Sequence, residues 1–227
     1  MQGGRIVSVR ILALETATEA CSVAVLAGSA MYRRFEVRPR AHLRLLLPMV
    51  ESVLTEAELD LGDLDAIAFG CGPGGFTGLR IAAGAAQGLA LGARLPVIPV
   101  SNLAALAAST MRDTTARKVI VCQDARMGEV YWGTFDRGAD DLPVASGPER
   151  VGPPEAVSVA GSDWLGAGSG WLAYPQLHVG FAGVIETNPR WPDAADVAAI
   201  ALGELQAGRV LAPELAAPTY IRNNVTY

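Results

Sequence analysis

The sequence predicts an α/β fold in two lobes, and three observations carry that prediction. Residues 1–109 read as strands and helices in the order β-β-β-α-β-α-β, a mixed pattern of period-two and helical spacing. Within it, a buried-type strand at 66–70 breaks on glycines and restarts as a helix at Phe76. A second strand-rich start then follows at Lys118, which places a lobe boundary near residues 109–117 and divides the chain into 1–109 and 110–227. With 227 residues, 51% of them hydrophobic and 18% charged, the chain has the material for one large core or two small ones.

Taken in order, residues 6–14, 22–26 and 31–37 alternate as three strands of a meander, with Gly28 and Ser29 suited to a hairpin turn. Residues before Val9 are expected to fray. Residues 41–57 read as a helix because Leu43, Leu46, Leu47, Val50 and Leu54 return at three- and four-residue intervals, and Pro48 is expected to kink it. The strand at 66–70, a helix at 76–91 and a strand at 97–100 complete the first lobe. In the second, 119–123 and 129–135 form a hairpin around Arg126, Met127 and Gly128. The Pro/Gly-rich residues 138–152 are expected to be flexible, residues 193–207 to form a closing helix, and Pro213 and Pro218 to mark an extended tail.

The glycine turn is the most informative local feature. A helix start preceded by Gly72, Gly74 and Gly75 is a ready anion site, since unpaired amides and the helix dipole both favour negative charge. No Gly-Lys-Ser/Thr follows, so the lysine of a P-loop is missing. Gly70, Gly72 and Gly75 satisfy G-x-G-x-x-G, yet the next strand runs into Ser101 and Asn102 rather than the acid that would hold a ribose. Along the helix that follows, Gly84, Gly88 and Gly92 fall four apart. Interior glycines cost roughly 1 kcal/mol each against alanine, so close packing must offset them. Two readings stand: tight packing on the chain's own sheet, or admission of another helix.

Charge and donor content narrow the function. A formal net charge of -5 argues against this chain alone holding a polyanion such as a nucleic acid. The cluster Arg33, Arg34, Arg38, Arg40 and Arg44 is a basic concentration in that acidic chain, read as a solvated edge or as a contact to a nucleic acid or an acidic partner. Cys21, Cys71 and Cys122 lie far apart, which fits a reducing cytoplasm better than a disulfide framework or a zinc knuckle. No stretch is apolar for eighteen residues, so no membrane span is expected. His42 and His178 are too far apart in sequence to suggest a shared metal, and no histidine base stands near Thr16, Thr18 or Thr77.

Four segments together carry a resemblance that spans nearly the whole chain. They are residues 11–24 (ILALETATEACSVA), 72–81 (GPGGFTGLRI), 124–132 (DARMGEVYW) and 218–224 (PTYIRNN). Their wording, order and spacing resemble the TsaB (YeaZ) family of bacterial tRNA-modification proteins. That resemblance implies an actin-like (ASKHA), ribonuclease-H-like duplicated fold with mixed sheets. It further implies a non-catalytic, activating role beside a TsaD-type transferase, which moves threonylcarbamoyl from its adenylate to the adenosine just 3′ of the anticodon. A TsaE-type ATPase would join a larger complex, tRNA would be met only through it, and isolated chains could self-pair. The contact residues so implied are Leu43, Leu46, Leu47 and Val50 on the first helix, with Leu79, Arg80, Ala83, Gly84, Gln87 and Gly88 on the second.

The same resemblance frames a cleft. In a duplicated fold the strand ends at Glu15 and Asp124 face each other, so Glu15, Thr16, Gly72, Gly74, Gly75, Thr77 and Asp124 would outline a nucleotide site, read here as vestigial. Active relatives of this fold carry H-x-x-x-H on the helix after the strand at 97–100. Here Asn102 and Leu106 occupy those places, and leucine coordinates nothing, so neither metal nor other cofactor is expected. The competing readings are a free-standing ATPase or phosphotransferase of the same fold, discriminated by nucleotide binding with magnesium, and a metallopeptidase, for which the histidine pair is missing.

Overall fold

The computed structural model describes residues 8–179, 181–185 and 191–222. The meander is β1 (Arg10–Glu15), β2 (Ala20–Ala27) and β3 (Ala30–Val37), followed by helix α1 (His42–Glu56). β4 (Ala66–Gly72), α2 (Phe76–Ala93), β5 (Val97–Ser101) and α3 (Asn102–Asp113) come next. The second half contains β6 (Lys118–Arg126), β7 (Glu129–Arg137), β8 (Pro143–Ala145), β9 (Arg150–Gly152) and β10 (Leu165–Ala167). It ends with the short helix α4 (Gly170–Ala173), β11 (Val184–Ile185) and α5 (Ala194–Gln206). Ser8 and Val9 precede the first strand, while Ile6 and Val7, also expected in it, lie outside the described residues with the rest of 1–7. α1 runs through Pro48 as one helix. Residues 138–152, expected as a flexible stretch, contain β8 and β9, both paired antiparallel to β7.

The two sheets repeat one plan. The first is ordered β3-β2-β1-β4-β5, and the path β8-β7-β6-β10-β11 through the second follows the same sequence of neighbours. In each, the first strand of the lobe pairs antiparallel with the second, the second pairs antiparallel with the third, and the remaining two add in parallel. β1 shows why its residues leave no polar face. Leu12 and Leu14 enter the layer beneath α1 and α2, whereas Ile11 and Ala13 enter the layer beneath α5. A strand covered on both sides is apolar throughout. On the second sheet, Val119, Val121 and Phe135 meet Leu103, Leu106 and Met111 of α3, and the opposite face holds Trp132, Trp171 and Leu177.

α3 starts under a true cap, with the Ser101 hydroxyl accepting from the amides of Leu103 and Ala104 at 3.1 Å each. Because Ala105 joins the first sheet's core and Leu103 and Leu106 join the second's, α3 is shared between lobes, although a division near residue 109 would cut through it. The closing helix α5, expected with the second lobe, packs against β1, β2, β4 and β5 of the first. Asp193 caps it by accepting from Ala195 N–H at 3.0 Å, and Ala194 N–H donates to Ser22 on β2 at 2.9 Å. The cap starts α5, and the Ser22 contact ties that start to β2 of the first sheet.

Candidate functional site

The glycine turn between β4 and α2 meets the end of β1, and their contacts close the space between them. Glu15 is fully buried. Its Oε1 accepts from Ala17 N–H at 2.6 Å and its Oε2 accepts from the Asn102 amide. Burial pushes the Glu15 carboxyl up to about 7, against those two donors. Asn102 in turn accepts Gly72 N–H at 2.6 Å, and Gly75 N–H donates to Ala17 O at 2.7 Å. Two of the amides expected to face an anion are thus consumed inside the protein. Gly72 has φ +134°, a conformation that favours glycine, and a Cβ there would sit 2.4 Å from Thr219 O of the tail. Gly74 lies against Ala17 in the same way, and the Thr16 hydroxyl donates to Gly78 O at 2.7 Å. Thr77 stands exposed at the start of α2, outside this packing.

Across the cleft, Asp124 is engaged locally. It accepts Arg126 N–H at 2.7 Å and Tyr174 O–H at 2.8 Å, and its second oxygen pairs with the Arg126 guanidinium at 2.9 Å. Arg126 also reaches Glu19 of the first lobe at 2.9 Å. Glu149, whose carboxyl is pushed up by burial, bonds Ser101 across the same gap. The tail completes the closure. Thr219 N–H donates to Cys71 O at 2.7 Å, and Arg222 pairs with Glu129 at 2.5 Å while lying over the Tyr131 ring. His42 and His178 each bond a backbone carbonyl, Ala20 O and Trp171 O, at 3.2 and 2.9 Å. Among the described residues no three His, Cys, Asp or Glu side chains gather as a metal site.

The outer face of α1 and α2 is open by contrast. Among the described residues, Cβ atoms on Gly84, Gly88 and Gly92 would meet nothing within 4 Å, so the stripe points away from the chain's own sheet and from α1. The reading of these glycines as tight internal packing is therefore set aside. Leu43 and Leu47 are 77% and 56% exposed, and Phe76 is 52% exposed. Four residues expected on this face are corrected: Leu46, Val50, Leu79 and Ala83 are buried in the core beneath it. Both sets of leucines return at helical spacing, and only those turned toward Leu12, Val23 and Phe69 are covered. Gln87 is half-buried and donates to Pro213 O at 3.2 Å, which leaves Leu43, Leu47, Arg80, Gly84 and Gly88 as the outward residues.

Sequence spacing did not reveal the Asn102–Glu15 pair, the Ser101–Glu149 bond or the Tyr220–Phe76 stack, whose rings lie 5.6 Å apart. Their partners are 87, 48 and 144 residues apart, respectively, beyond any local pattern. Comparison with known proteins decides the family. A family profile described as TsaD, tRNA N6-adenosine threonylcarbamoyltransferase, matches residues 36–162. The tRNA threonylcarbamoyladenosine biosynthesis protein TsaB of Escherichia coli (strain K12) is 42% identical over 223 residues, covering 96% of both chains. The chain belongs to the TsaB (YeaZ) family.

The TsaB of Haemophilus influenzae (strain ATCC 51907 / DSM 11121 / KW20 / Rd) is 38% identical over 96% of this chain and 95% of its own length. Among solved structures, YeaZ from Pseudomonas aeruginosa is 41% identical with a TM-score of 0.85, covering 93% of this chain and 99% of that one. A second Pseudomonas aeruginosa structure, described as similar to peptidase YEAZ, is 43% identical with a TM-score of 0.89 and covers 94% and 100%. The repeated sheet plan is the actin-like, ribonuclease-H-like fold of the TsaB family. Among the described residues no helix is long and apolar enough to cross a membrane.

Proposed function

We propose that this TsaB-family chain is the non-catalytic, activating subunit of a complex that forms N6-threonylcarbamoyladenosine in tRNA. It docks onto a TsaD-type catalytic subunit through the outer face of α1 and α2. The observation that carries this reading is the open glycine stripe: Gly84 and Gly88 weaken α2 by about 1 kcal/mol each, and nothing among the described residues fills the space they leave. A second helix laid on that stripe approaches the α2 backbone closely and covers Leu43 and Leu47.

The cleft supports the same division of labour. Gly72 and Gly75 N–H groups are bonded internally, and Glu15 and Asp124 are engaged by neighbours, so the vestigial site offers these groups to no phosphate. Chemistry then belongs to the partner. With a net charge of -5, the chain meets tRNA through the complex rather than by its own field. The setting is the cytoplasm, a TsaE-type ATPase belongs to the larger assembly, and the same open face serves self-pairing when the partner is absent.

Size-exclusion chromatography with light scattering on the chain, the TsaD-type protein and their mixture tests the reading. A wild-type complex that is lost in Gly84→Leu and Gly88→Leu, both folded by circular dichroism, is the expected result. If no complex forms and the chain alone binds ATP with magnesium, a free-standing phosphotransferase of this fold becomes the better account.

A further inference from the structure

We propose that Arg80 is a preset anchor for an Asp or Glu side chain on the docking helix of the TsaD-type partner, and that Tyr220 of the C-terminal tail positions it. This rests on the docking reading above and adds the chemistry of the partner's surface. Arg80 lies one and two helical repeats before Gly84 and Gly88, on the same outward line. Its guanidinium carbon sits 3.9 Å from the centre of the Phe76 ring, and its Nε donates to Tyr220 Oη at 3.1 Å. Phe76 and Tyr220 stack on each other, and the tail that carries Tyr220 is pinned on both sides, by Thr219 to Cys71 and by Arg222 to Glu129.

Charge complementarity identifies what Arg80 awaits. Several guanidiniums close on the chain's own carboxylates: Arg33 on Asp193, Arg34 on Glu56, Arg137 on Asp141 and Arg209 on Glu204. Arg80 is exposed and, like Arg40, Arg44, Arg94, Arg117 and Arg150, pairs with no carboxylate among the described residues, although the chain carries an excess of acids; of these six, Arg80 is the one held by a ring beneath it and a tyrosine hydroxyl beside the glycine stripe. With Nε held by Tyr220, the two terminal nitrogens of Arg80 remain as a planar fork whose geometry matches a carboxylate. An arginine already stacked loses less side-chain freedom on binding than a free one, so the contact gains affinity from being preset. The partner helix is therefore small or apolar where it crosses Gly84 and Gly88, and acidic at the level of Arg80.

Titration calorimetry of the full-length chain with the TsaD-type partner, at low and at moderate salt, tests this. Arg80→Ala is expected to weaken binding by about 10-fold or more and to flatten its salt dependence. Arg80→Lys, which keeps the charge but not the fork, recovers only part. Tyr220→Phe keeps the stack and removes the hydroxyl. It weakens binding less than Arg80→Ala and adds nothing when combined with it, because it acts through Arg80. If Arg80→Ala binds within about two-fold of wild type while Gly84→Leu blocks the complex, the anchor is overturned and the docking face stands. If Gly84→Leu has no effect, the docking reading itself fails. Additive losses in the Arg80→Ala/Tyr220→Phe pair overturn the positioning role. Arg80 is exposed, so circular dichroism of Arg80→Ala is expected to match wild type, and Arg80→Lys carries the comparison if it does not.

Discussion

At Glu15, hydrogen bonding and desolvation pull in opposite directions. Both carboxylate oxygens accept N–H donors, an arrangement that suits the ionised acid, yet complete burial raises its pKa to about 7 from an ordinary 4.5. The folded chain therefore holds this proton more tightly than the unfolded chain. Above pH 7 the buried charge subtracts from stability, and as pH falls through 7 toward 4.5 that loss is relieved. Melting temperature is expected to rise between pH 8 and pH 6. Asp196, also pushed up to about 7 by burial, moves the same way, so Glu15→Gln flattens the rise without abolishing it. Glu15→Gln is also expected to cost about 1–3 kcal/mol at neutral pH, because its new amide N–H group meets the Asn102 amide donor. The Glu15→Gln/Asn102→Asp pair restores a donor facing an acceptor, and chemical denaturation should show most of that loss recovered. Sequence could identify Glu15 as a strand-end acid and Asn102 as a non-ligand, but not that the two had become partners.

For α2, the element that combines buried and open faces, the four-residue glycine spacing was legible and its direction was not. Which side faces in depends on Leu79 and on Ala82, Ala83, Ala86 and Ala90, the last four a narrow row of small side chains that seats the helix close to the sheet. Gly84→Ala adds a methyl that meets nothing, so it should stabilise the isolated chain by about 1 kcal/mol in a denaturant titration. A loss of stability instead would mean that the stripe is packed. α1 teaches the same lesson from the other side, since Leu43 and Leu46 are equivalent as letters and differ only by the sheet beneath them. β8 and β9 escaped the sequence because three-residue strands have too few alternations to register, and β7 supplies their order.

Over the whole molecule, the ties that cross between the sheets are not of equal weight. The Arg126–Glu19 pair is 72% and 44% exposed and contributes ~0–1 kcal/mol. Residues 219–222 carry more, because a backbone bond to Cys71 and the Arg222–Glu129 pair, with Arg222 only 15% exposed, act from one short segment. Truncation after Pro218 should raise amide exchange across residues 72–80 and leave α5 protected, whereas Glu19→Ala should change neither. Unchanged exchange in 72–80 after truncation would remove the tail from the closure of the cleft. The duplicated plan could be anticipated from the second strand-rich start at Lys118, but the assignment of α5 could not. A run of alanines with Val197 and Ile200 fits either sheet, and the Ser22 contact that selects the first lies 172 residues away.

That placement of α5 gives the chain a temporal order. The layer that covers Ile11, Ala13, Ala66 and Ala68 is translated after every strand of both sheets, so a nascent chain of the first 113 residues holds the five strands of the first sheet with that side covered only in part, by Ala105 of α3. Stable closure of that side of the first sheet must wait until residues 194–206 have left the ribosome, whereas the α1–α2 side can be covered by residues already made.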